Sequence, residues 1–184
     1  MDMKFNSFRK KILRRYLKER EKTIHVEAFT RDDVWHNIKR LIGKNYVWFI
    51  TTPANYDYCK SYFNLRITKE EFRKTLEKRV DFLKKRDEEI QLHLHLCNVK
   101  GFLDKQLQDE KFEEAMNFMS SVKLKPIKFA PGWSTYDAYT IDVAKKYGIK
   151  YIYVYTKNPL DRPKIQNGII INYYYNFWHD YEFV

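Results

Sequence analysis

EIQLHLHLC, at residues 89–97, alternates apolar and polar side chains, as a β-strand with two different faces does. Its leucines and isoleucine share one face, and the other face carries Gln91, His93, His95 and Cys97. Strands of a parallel sheet are usually apolar on both faces, because helices cover both sides. A face with two imidazoles and a thiol therefore indicates a polar cavity, either catalytic or metal-binding. The alternative is a pair of core histidines satisfied by hydrogen bonds.

Strand and helix patterns alternate on both sides of this stretch. Further strands are predicted at residues 24–29, 46–51, 127–130, 151–155 and 169–174. Helices are predicted to begin at residues 30–33, at a capping box of Thr68 and Glu71, near Gln108, and at a capping pair of Ser134 and Asp137. This order predicts an α/β fold, a small or incomplete (β/α) barrel of six to seven strands with an extra N-terminal helix. Its functional site would lie at the carboxyl ends of the strands.

Two acids follow the first predicted strand and so reach the same end of the sheet as the histidines. Asp32 and Asp33, together with His93 and His95, form a set of oxygen and nitrogen donors that suits zinc and similar divalent ions. Acids at the start of a helix also stabilise the helix dipole without any catalytic role. Both interpretations stay open at this point.

Composition indicates one folded domain, at residues 23–184, behind a basic segment at residues 1–22. Hydrophobic residues make up 44% of the 184-residue chain, which excludes a disordered protein. Two cysteines without paired spacing, and no apolar leader, predict a cytoplasmic protein. Residues 1–22 hold nine Lys or Arg against three acids, and so carry +6 of the net charge of +11.

Apolar residues recur at helical spacing within residues 1–22, which predicts a basic amphipathic helix. Such a helix packs on its own domain, binds an anionic membrane surface as a peripheral anchor, or binds nucleic acid. Because the charge is concentrated at one end of the chain, nucleic acid is a weaker candidate than packing on the domain or binding to an anionic membrane surface.

Several motifs occur in an order that resembles the polysaccharide deacetylases of carbohydrate esterase family 4, also called the NodB-homology domain. They are FTRDD at residues 29–33, YVWFIT at 46–51, EEIQLHLHLC at 88–97, KFAPGWS at 128–134 and DVAKKYGIKYIYVY at 142–155. The resemblance extends over residues 23–184. It implies a metal-dependent hydrolase that removes an acetyl or other acyl group from an N-acetylated or O-acylated sugar.

The resemblance also implies roles for single residues. Asp32 would be the catalytic base, and Asp33 and His93 would bind a divalent metal ion, most simply zinc. His95 would be the second histidine ligand, and Cys97, at the usual motif spacing, is the alternative ligand. Aromatic residues near the motifs would contact the sugar substrate: Trp133, Tyr136 and Tyr173.

The chain departs from the family pattern at three positions. Val34 replaces a glycine, Phe129 replaces an arginine, and Asn172 stands where a late histidine supplies the general acid. His179 is the candidate replacement for that acid. These departures keep two other functions open. One is a deacetylase-like domain without catalysis that serves as a carbohydrate-binding or structural module, and the other is a nucleic-acid-binding protein using residues 1–22.

Overall fold

The computed structural model describes residues 22–26, 30–98, 101–158, 161–174 and 177–179, which form a sheet covered by helices. The strands of this part are β1 (Lys22–Val26), β2 (Tyr46–Ile50), β3 (Glu89–Leu94), β4 (Cys97–Asn98), β5 (Gly101–Phe102), β6 (Lys128–Pro131), β7 (Tyr151–Tyr155), β8 (Lys164–Gln166), β9 (Ile169–Tyr174) and β10 (Phe177–His179). The α-helices are α1 (Asp32–Ile38), α2 (Tyr56–Tyr62), α3 (Lys69–Lys84), α4 (Lys105–Ser121) and α5 (Ala138–Lys146). The predicted basic helix lies outside the described residues, except that Lys22 begins β1.

The histidine strand β3 lies inside the main sheet, whose strand order is β10-β1-β2-β3-β6-β7-β9-β8. All neighbouring pairs are parallel except β8 with β9, which is antiparallel. Within the described ranges no pairing joins β8 to β10, so the sheet is open. The predicted incomplete (β/α) barrel is therefore confirmed. The main sheet has eight strands, two more than the six predicted. The two additional strands, β8 and β10, have three residues each, which is too short to show a periodic pattern in the sequence.

The two faces of the sheet differ in composition, as the alternation in residues 89–97 predicts. One face is covered by helices, and its buried side chains include Trp48 and Ile50 of β2 and Leu92 and Leu94 of β3. We call the opposite face the inner face. Its side chains include His25, Phe49, Ala130, Tyr153 and Tyr174. Hydrophobic burial on the helix-covered face fixes the register of each strand, and so fixes which residues turn to the inner face.

Helix starts agree with the predictions at α3 and differ at α5. The amide of Glu71 donates to Thr68 Oγ1 at 3.2 Å and the amide of Thr68 donates to Glu71 Oε2 at 2.8 Å, which confirms the capping box. At α5 the cap is Asp137, which accepts from the Thr140 amide at 2.7 Å. Asp137 therefore caps this helix as predicted, whereas Ser134, the other residue of the predicted pair, takes no part in the cap, and the helix begins three residues later than the pair implies.

One helix of the structure was not predicted. α2 and the short 3₁₀ turn Pro53–Asn55 before it occupy a tyrosine-rich segment that has no clear helical periodicity. None of the described helices is long and apolar enough to cross a membrane.

Candidate functional site

His93 and His95 form a buried pair at the carboxyl end of β3. His93 is fully buried and His95 is 2% exposed, and their Nε2 atoms lie 3.2 Å apart. Asn55 holds the backbone of both residues, because its Nδ2 donates to the His93 carbonyl at 3.2 Å and its Oδ1 accepts from the His95 amide at 3.0 Å. The same Nδ2 also donates to Thr51 Oγ1 at 3.0 Å. The pair is therefore fixed by an asparagine that follows β2.

A third imidazole, His25 of β1, approaches this pair on the inner face. Its ring centroid lies 5.5 Å from that of His93 and 4.8 Å from that of Tyr174. The sequence analysis missed His25, although Thr23-Ile24-His25-Val26 shows the same alternation as β3. The backbone of β10 places His179 in register with His25, as its Cα partner across the two parallel strands.

Three features enclose the His95 ring. Tyr58 of α2 stacks on it with ring centroids 3.7 Å apart, and Trp133 meets it edge-on at 5.6 Å. Gly132 packs directly against it, since a Cβ atom on Gly132 would lie 2.2 Å from His95 Nδ1. Two residues of the KFAPGWS motif at residues 128–134 therefore contact the His95 ring, Gly132 through its backbone and Trp133 through its indole ring.

The backbone that presents Trp133 is strained. Trp133 and Ser134 have φ values of 53° and 55°, in the left-handed region that non-glycine residues seldom adopt. Ser134 Oγ accepts from the Tyr155 amide at 2.9 Å and lies 2.9 Å from the Tyr174 hydroxyl, which holds the turn in place. Strain of this kind is common at binding sites, and here it leaves Trp133 47% exposed.

A pocket of about 530 Å³ opens over His95, and we call it the histidine pocket. Its described lining consists of Tyr58, Ser61, Tyr62, His95, Cys97, Leu103, Lys111 and Trp133. Both cysteines are free thiols, and burial raises the pKa of Cys97, so that this thiol is not an activated nucleophile at neutral pH. The pocket thus combines aromatic walls with one imidazole, one thiol and one ammonium group.

The two acids after β1 are bound to arginines. Asp32 lies 2.6 Å from the guanidinium of Arg79, a buried side chain of α3, and burial lowers the pKa of Arg79 to about 10. Asp33 lies 2.5 Å from Arg31, whose hydrogen bond lowers the pKa of this carboxyl. Both carboxylates are exposed to solvent at the start of α1.

The histidine pair fits part of a metal site. The two Nε2 atoms, 3.2 Å apart, form a hydrogen bond in this structure, and two imidazole nitrogens this close could instead both bind one zinc ion. In the described part of the chain, however, no three His, Cys, Asp or Glu side chains come together in a way that could hold a metal ion. The described residues therefore offer a metal ion two imidazole nitrogens and no carboxylate beside them. The role of Asp33 as a metal ligand stays a prediction.

The remaining predicted site residues lie in different places. Trp133 lines the histidine pocket, whereas Tyr136 and Tyr173 pack against the hydrophobic cluster of the helix-covered face. Phe129, at the position of the family arginine, is buried in that same cluster, and neighbouring Lys128 binds Glu89 at 2.7 Å. The cationic side chain at residues 128–129 is therefore that of Lys128, and it pairs with Glu89 rather than with Asp32.

No family model matches this sequence, and no curated protein matches it by sequence. Solved structures do match. A family 4 carbohydrate esterase from Streptomyces lividans, in complex with acetate, is 12% identical with a TM-score of 0.55, over 87% of this chain and 78% of that chain. A de-N-acetylase from Aggregatibacter actinomycetemcomitans is 13% identical with a TM-score of 0.51, over 84% and 69%.

A pseudoenzyme of carbohydrate esterase family 4 from Bacillus anthracis also matches, at 10% identity and a TM-score of 0.50. The match covers 72% of this chain but only 41% of the pseudoenzyme, so this chain corresponds to less than half of that protein. At such low identity these likenesses establish the fold, which is the one that the structures of this family share.

Proposed function

We propose that this chain is a divergent member of carbohydrate esterase family 4 and that it binds an N-acetylated or O-acylated sugar in the histidine pocket. The observation that carries the proposal is the pocket itself, an open space of about 530 Å³ with aromatic walls and His95 beside them. Binding sites for small ligands commonly join apolar walls to a few polar groups in this way.

The aromatic side chains suit a sugar ring. Tyr62 is 60% exposed and Trp133 is 47% exposed, although burying such rings would normally be favourable. The C–H faces of a pyranose can stack on these rings, while Ser61 and His95 offer polar groups for hydroxyl and amide substituents. The rings that would contact the sugar are therefore Trp133, as the sequence predicts, with Tyr58 and Tyr62 in addition.

Hydrolysis of the acyl group with a divalent metal ion, zinc in the first instance, is the second candidate function. Two buried histidine nitrogens 3.2 Å apart are compatible with it, since the hydrogen bond that joins them could give way to a shared zinc ion. The pairing of Asp32 with Arg79 and of Asp33 with Arg31 favours sugar binding without catalysis. The roles of Asp32 as base and His179 as acid stay predictions.

Calorimetric titration with an oligosaccharide of N-acetylglucosamine tests the binding proposal. Wild-type protein should bind, and Trp133→Ala should weaken binding about two- to tenfold, because a stacked ring contributes on the order of 0.5–1.5 kcal/mol. Phe102→Ala is the matched control, since Phe102 is 42% exposed and lies outside the described pocket lining. Absence of binding by wild-type protein, or equal binding by Trp133→Ala, would contradict the proposal.

Release of acetate separates the two functions. Protein loaded with zinc should release acetate from the same oligosaccharide if it is a hydrolase, and His93→Ala should abolish both zinc binding and release. Binding of the sugar without release of acetate would identify a binding module. The predicted membrane and nucleic-acid partners depend on residues 1–22, outside the described residues, and stay predictions.

A further inference from the structure

Lys111 brings a positive charge to the histidine pocket from α4. Its Nζ donates to the carbonyl of Ala54 at 2.6 Å, which uses one of the three ammonium hydrogens. No carboxylate of the described residues lies within 4.0 Å of this nitrogen, and the nearest candidate on α4, Glu114, is bound to Lys69 at 2.6 Å. Asp57 and Glu114 attract Lys111 only from a longer distance.

Burial makes this charge costly for the fold. Desolvation lowers the pKa of Lys111, and it outweighs the attraction of Asp57 and Glu114. An ammonium group that is partly removed from water and has no close carboxylate is stabilised when an anion reaches it. The described lining of the pocket contains no acidic residue, and the carboxylates of Asp57 and Glu114, which would repel an anion, act only from a longer distance.

We propose that the acylated sugar bound by this chain carries an anionic group, a carboxylate or a phosphate, which binds Lys111. This inference rests on the proposed function, and it narrows the substrate class to acidic acylated sugars, such as those containing uronic acids or sugar phosphates. The aromatic rings stack on the face of the sugar ring, and Lys111 binds its negative group, so that acidic sugars bind more tightly than neutral ones.

Lys111 also has a structural role, because its hydrogen bond to the carbonyl of Ala54 is present without any bound anion. Lys111→Met keeps the length of the side chain but removes both the charge and this hydrogen bond. The melting temperature of the variant is therefore measured first, to show that it is folded at the temperature of the titrations. If it is not folded, the comparison of acidic with neutral probes on wild-type protein still tests the inference.

Paired titrations test the inference on the full chain. The probes are a neutral N-acetylglucosamine oligosaccharide, an oligosaccharide of the same length that alternates N-acetylglucosamine with glucuronate, and N-acetylglucosamine 1-phosphate with neutral N-acetylglucosamine as its partner. Wild-type protein should bind at least one acidic probe about ten- to a hundredfold more tightly than its neutral partner, as a charge-assisted hydrogen bond allows. The two acidic probes distinguish a carboxylate from a phosphate.

The variants decide whether Lys111 is responsible. Lys111→Met should bind acidic and neutral probes equally well, whereas Lys105→Met, which removes an exposed lysine of the same helix, should keep the preference. Equal wild-type affinity for acidic and neutral probes, or a preference that survives in Lys111→Met, would overturn the inference and leave the proposed function intact. Failure of every probe to bind would overturn both.

Discussion

At the scale of single residues, contact between Gly132 and His95 fixes one wall of the pocket. Gly132→Ala would place a methyl group 2.2 Å from His95 Nδ1, and Tyr58 on the His95 ring at 3.7 Å restricts any shift. We expect a loss of about 1–3 kcal/mol in the free energy of unfolding, typical of an overpacked core. Urea denaturation measures it.

The control for this prediction is the same substitution in a second background. In His95→Ala protein the imidazole is absent, so that adding Gly132→Ala should have little effect on the free energy of unfolding. If Gly132→Ala destabilises both backgrounds equally, the backbone alone requires glycine and the contact with His95 is not the reason.

Asn55 gives a second prediction at this scale. Asn55→Ala removes the bonds to the His93 carbonyl and the His95 amide inside the protein. We expect a loss of about 2 kcal/mol or more, because each buried backbone group that loses its partner costs about 1–3 kcal/mol. Asn117→Ala on the exposed side of α4 is the matched control and should change stability by less than about 0.5 kcal/mol. Similar losses in both variants would contradict the bridging role of Asn55.

Sequence analysis succeeded for the residues whose role depends on local alternation and failed for those that depend on distant partners. His93 and His95 could be assigned to a polar cavity because period two alone separates them from the leucines. The ion pair of Asp32, the predicted base, could not be predicted, because its partner Arg79 lies 47 residues further along the chain. His25 was missed because its strand contains one histidine, and a single histidine does not distinguish a polar face from an ordinary buried residue.

At the scale of secondary-structure elements, the capping box of α3 is a feature that the sequence predicts and the structure confirms. Thr68→Ala should lower the free energy of unfolding by about 1 kcal/mol, because the Glu71 amide loses its acceptor. Thr68→Ser keeps the hydroxyl and should remain close to wild type. Urea denaturation of the three proteins checks the prediction, and equal losses for both variants would contradict it.

The same cap has a pH dependence. Hydrogen bonds from Thr68 lower the pKa of Glu71 below its usual value of 4.5. The charged carboxylate therefore stabilises the folded state above pH 4.5, and this contribution is lost as the pH falls through the lowered pKa. Glu71→Gln should be less stable than wild type at pH 7, with the difference shrinking towards pH 3. A difference that stays constant with pH would contradict this role of the charge.

Elements were predictable where length and periodicity were sufficient. β7 and β9 have the predicted bounds, since β7 is a run of five apolar and aromatic residues and β9 has five such residues with one asparagine. α2 was predicted as a loop because its seven residues include three tyrosines and no regular apolar spacing. At α5 the motif of Ser134 and Asp137 was misleading, since the strained turn at Trp133 uses Ser134 to bind Tyr155 instead.

At the scale of the whole molecule, the two faces of the open sheet differ in composition. The helix-covered face contains the large hydrophobic clusters, and the inner face contains His25, His93 and the adjoining aromatic rings. The sequence predicts this difference because apolar and polar residues alternate along a strand. Once the strands lie side by side in one register, the residues of one type share one face of the whole sheet. The sequence cannot predict the pocket, which also needs α2 and the turn at residues 132–134 to reach His95.

The central claim is that His95, buried beside His93 at the carboxyl end of β3, lines a pocket that receives a sugar. Long-range ¹H–¹⁵N spectra of the histidine rings, recorded while an N-acetylglucosamine oligosaccharide is added, test it most directly. His36, exposed on α1, serves as an internal control. The account predicts that the His95 signals shift and saturate while those of His36 do not move. Unchanged His95 signals, or equal shifts at both residues, would contradict it.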